Sequence, residues 1–464
     1  MVVVSDVHLG EDLLPGASGR AARDVALAEN ALADFARHLT RARMDGRPWR
    51  LVVNGDMIDL MVVPDRRGEL PIARTSSVAK ERIDHVIARH RGVFEALARF
   101  VAAGNRLDIL AGNHDIELVW PEVAAHLAAK IAELAPRAGS ADRIAVRPWF
   151  VYEPGLCWIE HGQQYDATCS QEMHLAPEDP RSGAVVDNID YASIRHLGAD
   201  LPDLDSRATE AWSFGGFLTF AASRGVGGFL RVFASYGKFV RALFHARGLH
   251  KSVRVRNART RMHEDRLERL AETSNVSAGL LRDVDALKRP PVTMSTRRLM
   301  GLLMLDRALV CVASALAALV AWTMLPAVWA VMASVLIVLA AWGAGTQLAK
   351  VRNPDNILPL RLAAQRIRAR VDAPFVVFGH THEPVHEALP TGGAYVNSGT
   401  WLPAIRPGLR RAFTHVVMRR TPTGPVCELR QWRDGASRRY GSDEVTPVPA
   451  PVAPVGPVTP SRAA

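Results

Sequence analysis

The chain has 464 residues, 48% of them hydrophobic, with 57 Lys and Arg against 47 Asp and Glu for a net charge of +10. That length holds two or three domains, or one large domain with insertions, and the apolar share supports a buried core. The four cysteines, Cys157, Cys169, Cys311 and Cys427, show no CxxC spacing and read as free thiols in a reducing compartment, not as a disulfide framework.

The opening "VVVSD" is too short and uncharged for a signal peptide. "MVVVSD" is a strand pattern, residues 24–43 a helix with apolar Val25, Leu27, Ala28, Ala31, Leu32 and Phe35, and "RLVVNGD" a second strand. Residues 84–103 predict a second helix and "RLDILAGNHD" a third strand. Strands alternating with helices argue for an α/β fold. "GLCWIEHG" and "APFVVFGHTH" repeat the pattern of an apolar run ending in glycine and polar residues, and "AYVNSGTW", "THVVMRR" and "CELRQW" are short strands closing the same unit.

Between His161 and Gly379 the composition changes. Residues 176–305 predict a mainly helical insertion. Within it, residues 228–246 place Phe229, Leu230, Phe233, Tyr236, Val240, Leu243 and Phe244 on one helical face and Arg231, Ser235, Lys238, Arg241 and His245 on the other. This is the pattern of a basic interfacial helix, although a helix docked on a globular domain shows a similar stripe. Residues 308–345 then carry no charge. One continuous helix of that length runs to about 55 Å, against about 30 Å of hydrocarbon. Pro326 at the midpoint breaks it, and Trp322 and Trp329 flank the break as interfacial residues do. Residues 306–347 therefore read as a transmembrane helical hairpin. Its flanks are basic, Arg297, Arg298 and Arg307 before it and Lys350 and Arg352 after, which places both ends, and the catalytic unit, on the cytoplasmic side. An Arg-rich helix is expected to follow as far as Arg370, and the Pro-rich residues 441–464 cannot bury a core and are expected to be disordered.

Five polar clusters each follow an apolar run: Asp6-Val7-His8, Gly55-Asp56, Gly112-Asn113-His114-Asp115, His161-Gly162 and Gly379-His380-Thr381-His382. Each would stand at the carboxyl end of a strand, where α/β folds place ligands. Carboxylate, amide oxygen and imidazole together suit manganese, iron or zinc better than calcium. Singly these clusters are weak signals; what carries weight is all five, in order, on strand ends. "NSGTW" (residues 397–401) is either a turn closing the sheet or a loop facing substrate. Asp166 and His174 could line the same pocket, while His126, His196 and His386, with the other histidines, have no ligand spacing and are expected in surface or satisfied polar roles.

The set resembles the calcineurin-like metallophosphoesterase superfamily, whose pattern runs D-x-H, G-D-x-x-D, G-N-H-D/E, H, G-H-x-H; "GDMID" completes the second block with Asp59. The resemblance covers about residues 1–170 and 375–430. It implies an αββα sandwich split into residues 1–175 and 348–440, with a site for two divalent metals, manganese foremost and iron or zinc as alternatives. By the same resemblance Asp6, His8 and His382 would hold one metal, Asn113, His161 and His380 the other, and Asp56 would bridge them. A hydroxide between the metals would attack the phosphorus, while His114 protonates the leaving oxygen and Asp115 orients it. His161 and His380 flank the insertion yet would meet at one metal, so the membrane must be crossed an even number of times between them, as a hairpin does.

"SDVHLG" and "GHTHEP…VNSGTW" further resemble the UDP-2,3-diacylglucosamine hydrolases, although the best-known branch of those has arginine where this chain has His114. The expected function is a membrane-anchored hydrolase of a lipid-linked phosphate ester or pyrophosphate. The alternative is a tethered phosphodiesterase or phosphatase acting on soluble nucleotides or phosphoproteins. A scaffold lacking activity would usually have lost ligands, and here every ligand position is filled. The basic residues lie near the membrane segments with few aromatics interleaved, which favours lipid headgroups over nucleic acid.

Overall fold

The computed structural model describes residues 1–43, 46–65, 67–198, 201, 219–350, 357–403 and 411–441. Among them, two sheets stand face to face. The first has seven strands in the order β12-β11-β10-β1-β2-β3-β4, with β1 (Val2–Val4), β2 (Arg50–Asn54), β3 (Arg106–Leu110) and β4 (Ile144–Arg147) parallel. Its other edge is antiparallel: β10 (Thr414–Thr421), β11 (Gly424–Arg433) and β12 (Ala436–Arg439). The second sheet has five strands in the order β5-β6-β7-β9-β8, built from β5 (Phe150–Glu153), β6 (Cys157–Glu160), β7 (Phe375–Phe378), β8 (Val385–Ala388) and β9 (Ala394–Asn397).

Side-chain alternation explains the layering. In β1, Val3 joins Val52, Ile159, Val377, Val396 and Val416 in a cluster shared by both sheets. Val2 and Val4 point the other way, into a cluster with Phe35, Leu97 and Leu127 from α1 (Gly19–Arg41), α3 (Arg91–Ala102) and α4 (Pro121–Glu133). The outer face of the second sheet, Trp158, Val376 and Phe378, packs on helices that lie between β6 and β7 in the chain. Strands buried on both faces must read as continuous apolar runs, which is why "VVV" and "FVVF" carry no polar alternation.

Two expected elements differ. The helix anticipated over residues 84–103 is two helices, α2 (Ser76–Arg89) and α3, because His90 leaves the helical conformation (φ −109°, ψ 36°). Its ring is held between Asp12 Oδ1 (3.1 Å) and Glu29 Oε2 (3.0 Å), contacts far away in sequence. The face of the amphipathic helix also changes. After the short α5 (Ile189–Ser193) comes α6 (Gly225–Lys251), which turns Val232, Ser235, Phe239, Leu243 and Ala246 inward. Ser235, expected on the polar face, is buried, while Phe229, Leu230, Phe233 and Phe244 are exposed beside Arg231, Lys238 and Arg241. The inward residues pack with Leu299 and Leu303 at the foot of the apolar hairpin, and tertiary packing selected that face over the one with more aromatics.

Among the described residues the insertion continues with α7 (Val253–Ser274), α8 (Ala278–Asp285) and α9 (Thr296–Leu302). Two helices then run in succession, α10 (Leu305–Met324) and α11 (Ala327–Lys350), long and apolar enough to cross a membrane. Leu325 between them is extended (φ −115°, ψ 148°), the conformation that the following Pro326 imposes on its predecessor. The most apolar windows of the two helices are only 11% and 6% buried, so they form no protein core. The next helix, α12 (Ile357–Arg368), covers the second sheet through Leu360, Ala363, Ala364 and Ile367. Arg352, the side chain of Lys350 and the Pro-rich tail beyond residue 441 lie outside the described residues.

Candidate metal centre

Every sequence-predicted ligand lies just past the carboxyl end of a strand, and the strands carrying them bring them together. Asp6 and His8 follow β1, Asp56 follows β2, Asn113 and His114 follow β3, His161 follows β6, and His380 and His382 follow β7. Two groups of donors result. In one, His382 Nε2 lies 3.1 Å from Asp6 Oδ1 and 3.2 Å from His8 Nε2. In the other, Asn113 Oδ1 lies 3.3 Å from His161 Nε2 and 3.1 Å from His380 Nδ1. Asp56 Oδ2 stands between them, 3.2 Å from His161 Nε2 and 3.9 Å from His8 Nε2.

These spacings fit a shared cation. Ligand bonds of about 2.1 Å put neighbouring donors about 3.0–3.4 Å apart in octahedral or tetrahedral geometry. Asp6 Oδ1 is buried and faced only by the His382 and His8 imidazoles, at 3.1 and 4.0 Å and without a well-aligned hydrogen bond, a costly state for a carboxylate unless a cation faces it. His161 Nδ1 donates to the Asn54 carbonyl oxygen at 2.7 Å, which turns Nε2 toward the centre. The electrostatics agree. Burial alone would lower the His161 pKa, but the Asp56 and Asp6 carboxylates raise it to about 9. A cluster that draws protons onto its imidazoles this strongly is one that attracts positive charge.

The local backbone is unusual at these residues. Asp6, His8, Asp56, His380 and His382 all have φ between 51° and 68°, a left-handed conformation that costs a non-glycine residue energy. Five such residues converging on one cleft mark a place where packing overrides backbone preference. The adjacent glycines make room for the donors themselves: a Cβ on Gly112 would sit 2.1 Å from Asp56 Oδ1, and one on Gly55 would sit 2.4 Å from the His161 ring.

One expected partnership is corrected. Asp115 does not reach His114. Its carboxylate accepts from the backbone N–H groups of Gly112 (2.6 Å), Met57 (2.9 Å), Asp56 (3.3 Å) and Ile58 (3.3 Å), tying the loop after β3 to the loop after β2. Burial and the Asp56 carboxylate nevertheless push its pKa up to about 7. The partner of His114 is Asp59, whose Oδ2 lies 3.0 Å from His114 Nδ1 and 3.6 Å from His8 Nδ1. Burial lowers and Asp59 and Asp56 raise the His114 pKa, the net being a rise to about 10. His114 Nδ1 faces Asp59 because the Asp56 carboxylate already accepts the His114 backbone N–H at 2.9 Å, which fixes the direction of the loop.

Residues outside the five motifs complete the surroundings. Asp166 accepts from His380 Nε2 at 3.2 Å, as its proximity to His161 in sequence suggested, while His174 pairs with Asp285 and borders a small cavity whose wall also includes Asn113. Asp190, which no motif marks, faces Asn113 Nδ2 at 3.5 Å from the insertion side. Only its folding back onto the core reveals it. Residues 397–401 form the buried turn, not a substrate loop. Asn397 Nδ2 donates to the Gly379 carbonyl oxygen (2.6 Å) and Thr400 Oγ1 to that of Asp6 (3.0 Å), bracing both ends of the first donor group. His126 pairs with Asp84 at the surface (2.8 Å), and neither His196 nor His386 joins a metal-like group among the described residues.

The cleft opens on one side: the side chains of His382 and His114 are 36% and 20% exposed, whereas Asp6, Asp56 and His161 are sealed. No protein-family model, curated protein or solved structure matches the chain.

Proposed function

We propose that the chain is a membrane-anchored phosphoesterase of the calcineurin-like type, hydrolysing a lipid-linked phosphate ester or pyrophosphate with two divalent cations. The observation that carries the chemistry is the pairing of the two donor groups across Asp56, with nearest donor spacings of 3.1–3.3 Å in each group and 4.0 Å between His8 Nε2 and Asp6 Oδ1. Asp6, His8 and His382 would hold one cation, Asn113, His161 and His380 the other, and Asp56 would touch both. The two cations, manganese, iron or zinc by their donors, would acidify a water molecule and neutralise phosphate oxygens.

The chain's own groups do the rest. His114 stands at the open edge, where a leaving oxygen would depart. With Nδ1 committed to Asp59, Nε2 is the nitrogen left to give that oxygen a proton. Asp115 holds the two loops in register, and Asp166 fixes the His380 ring. The sandwich of two sheets between helical layers accords with the same superfamily.

The lipid part of the proposal rests on continuity of packing. The exposed apolar pair α10 and α11 would be a transmembrane hairpin, each helix spanning about 30 Å or slightly more. At its foot Leu299 and Leu303 pack with Val232, Phe239 and Leu243 of α6 and with Ala192 and Leu197. Tyr191, next in the chain, packs on Met61 and Val62, two residues beyond Asp59. A substrate with its acyl chains in the bilayer would therefore meet the site by a short route, with the exposed Phe229, Leu230 and Phe233 of α6 resting in the membrane surface. Both ends of the hairpin and the catalytic unit would face the cytoplasm.

The test is manganese-dependent UMP release from UDP-2,3-diacylglucosamine by the detergent-purified chain, with and without residues 306–347. Loss of lipid turnover with retention of a soluble aryl phosphodiester activity supports the lipid reading. Equal turnover of both substrates by both proteins rejects it in favour of a tethered enzyme acting on soluble phosphoesters.

A further inference from the structure

A second cluster of metal-binding side chains lies where the core meets the insertion. His174 comes from the segment after β6, His263 from the middle of α7, and Asp285 from the last residue of α8. His174 Nδ1 is 3.2 Å from Asp285 Oδ1, and His263 Nε2 is 3.3 Å from Asp285 Oδ2. One donor atom from each residue lies within 4.8 Å of the others. Both imidazoles are buried, 2% and 4% exposed.

His174 Nδ1 and Asp285 Oδ1 face each other at 3.2 Å as a poorly aligned ion pair, and His174 Nε2 and His263 Nδ1 are also buried without a hydrogen-bond partner. Buried polar atoms held only by such contacts are costly, and a cation bound among the three side chains lowers that cost. The spacing is again that of neighbouring ligands on one ion, about 3.0–3.4 Å. The surroundings hold the donors in place: Lys288 Nζ binds Asp285 Oδ2 at 2.6 Å, which leaves Oδ1 turned toward His174. The Trp149 ring lies edge-on to His174, centroids 4.7 Å apart. Outer contacts of this kind orient metal ligands.

We propose that His174, His263 and Asp285 form a third metal site, for a single zinc ion, which fastens the helical insertion to the core. Two imidazoles and one carboxylate suit zinc, whereas magnesium and calcium favour carboxylate, carbonyl and water oxygens. The ion ties the core to α7 and α8, and through them steadies the platform on which α6 and the hairpin stand. The site is independent of the two-metal cleft, and the tie holds whether or not the cleft hydrolyses phosphoesters.

The test is the zinc content of the purified full chain after dialysis against trace zinc, measured by mass spectrometry in wild type, His263→Gln and Asp285→Asn. Both variants should hold one equivalent fewer than wild type, and added zinc should raise the melting temperature of either variant less than that of wild type. Asp56→Ala should show the converse, losing metal from the cleft and keeping the equivalent that depends on His263. A zinc count unchanged by both His263→Gln and Asp285→Asn overturns the proposal and leaves a buried salt-bridge cluster. If neither variant folds, cobalt titration of Asp56→Ala decides. A cobalt spectrum of low-coordinate character supports the site, and its absence overturns it.

Discussion

Replacing Asp59 by asparagine tests the corrected partnership at His114. The side chains are nearly isosteric, so the 3.0 Å contact to His114 Nδ1 persists in shape while the carboxylate charge is lost. A hydrogen bond to a charged group contributes about 1.5–3 kcal/mol. At about 1.4 kcal/mol per tenfold in rate, turnover should fall about 10- to 150-fold if that charge holds the His114 proton during the reaction. The assay is manganese-dependent hydrolysis of an aryl phosphodiester, with bound metal counted in the same sample. Asp59→Asn should keep its metal, since Asp59 stands outside both donor groups. Asp115→Asn should behave differently. An amide has one acceptor oxygen where the carboxylate has two, so two of the four N–H groups lose their acceptor, each at a cost of about 1–3 kcal/mol. Its losses should appear in stability and metal retention. Normal turnover in Asp59→Asn, alongside lowered turnover with intact fold and metal in Asp115→Asn, would refute the assignment.

Further outcomes follow from the same geometry. Gly112→Ala places a Cβ 2.1 Å from Asp56 Oδ1 and 2.6 Å from the Asp56 backbone nitrogen, so Asp56 must shift. Metal analysis should show weakened retention, and turnover should drop on the order of a hundredfold. His90, buried between Asp12 and Glu29, has a pKa lowered by burial but raised more by those carboxylates, for a net rise. Its stabilising charge is therefore fully present below its ordinary value of about 6.5 and lost as pH rises through the higher folded value. The melting-temperature gap between wild type and His90→Gln should be widest below about pH 6.5 and should narrow as pH rises above it. A gap that widens with pH contradicts the sign.

The candidate ligand residues were legible because their signal is local. Each donor sits within a few residues of a buried strand's end, so apolar run, glycine and polar cluster appear together in "VVVSDVH", "VVNGD" and "FVVFGHTH". Pro326 was legible for a similar reason, since its effect reaches only to Leu325. What was hidden depends on contacts between distant segments. Asp115 precedes a helical turn beside His114 and looks like its neighbour, but the loop directs the carboxylate to four backbone N–H groups instead. Asp190 has no motif and is seen only once the insertion folds against Asn113. The face of α6 was ambiguous because apolar residues lie on both sides, and only packing against Leu299 and Leu303 decides which is buried. His174, His263 and Asp285 come from three separate segments, and their convergence leaves no spacing to read.

The central claim is hydrolysis that depends on Asp56 standing between two cations. The most direct measurement is turnover of an aryl phosphodiester by the full chain, stripped of metal and reloaded with manganese, beside Asp56→Ala treated identically. The account predicts activity that returns as two equivalents of manganese bind in the cleft of wild type and stays absent in Asp56→Ala. Equal activity in the two proteins, or full activity in the metal-stripped chain, would contradict it.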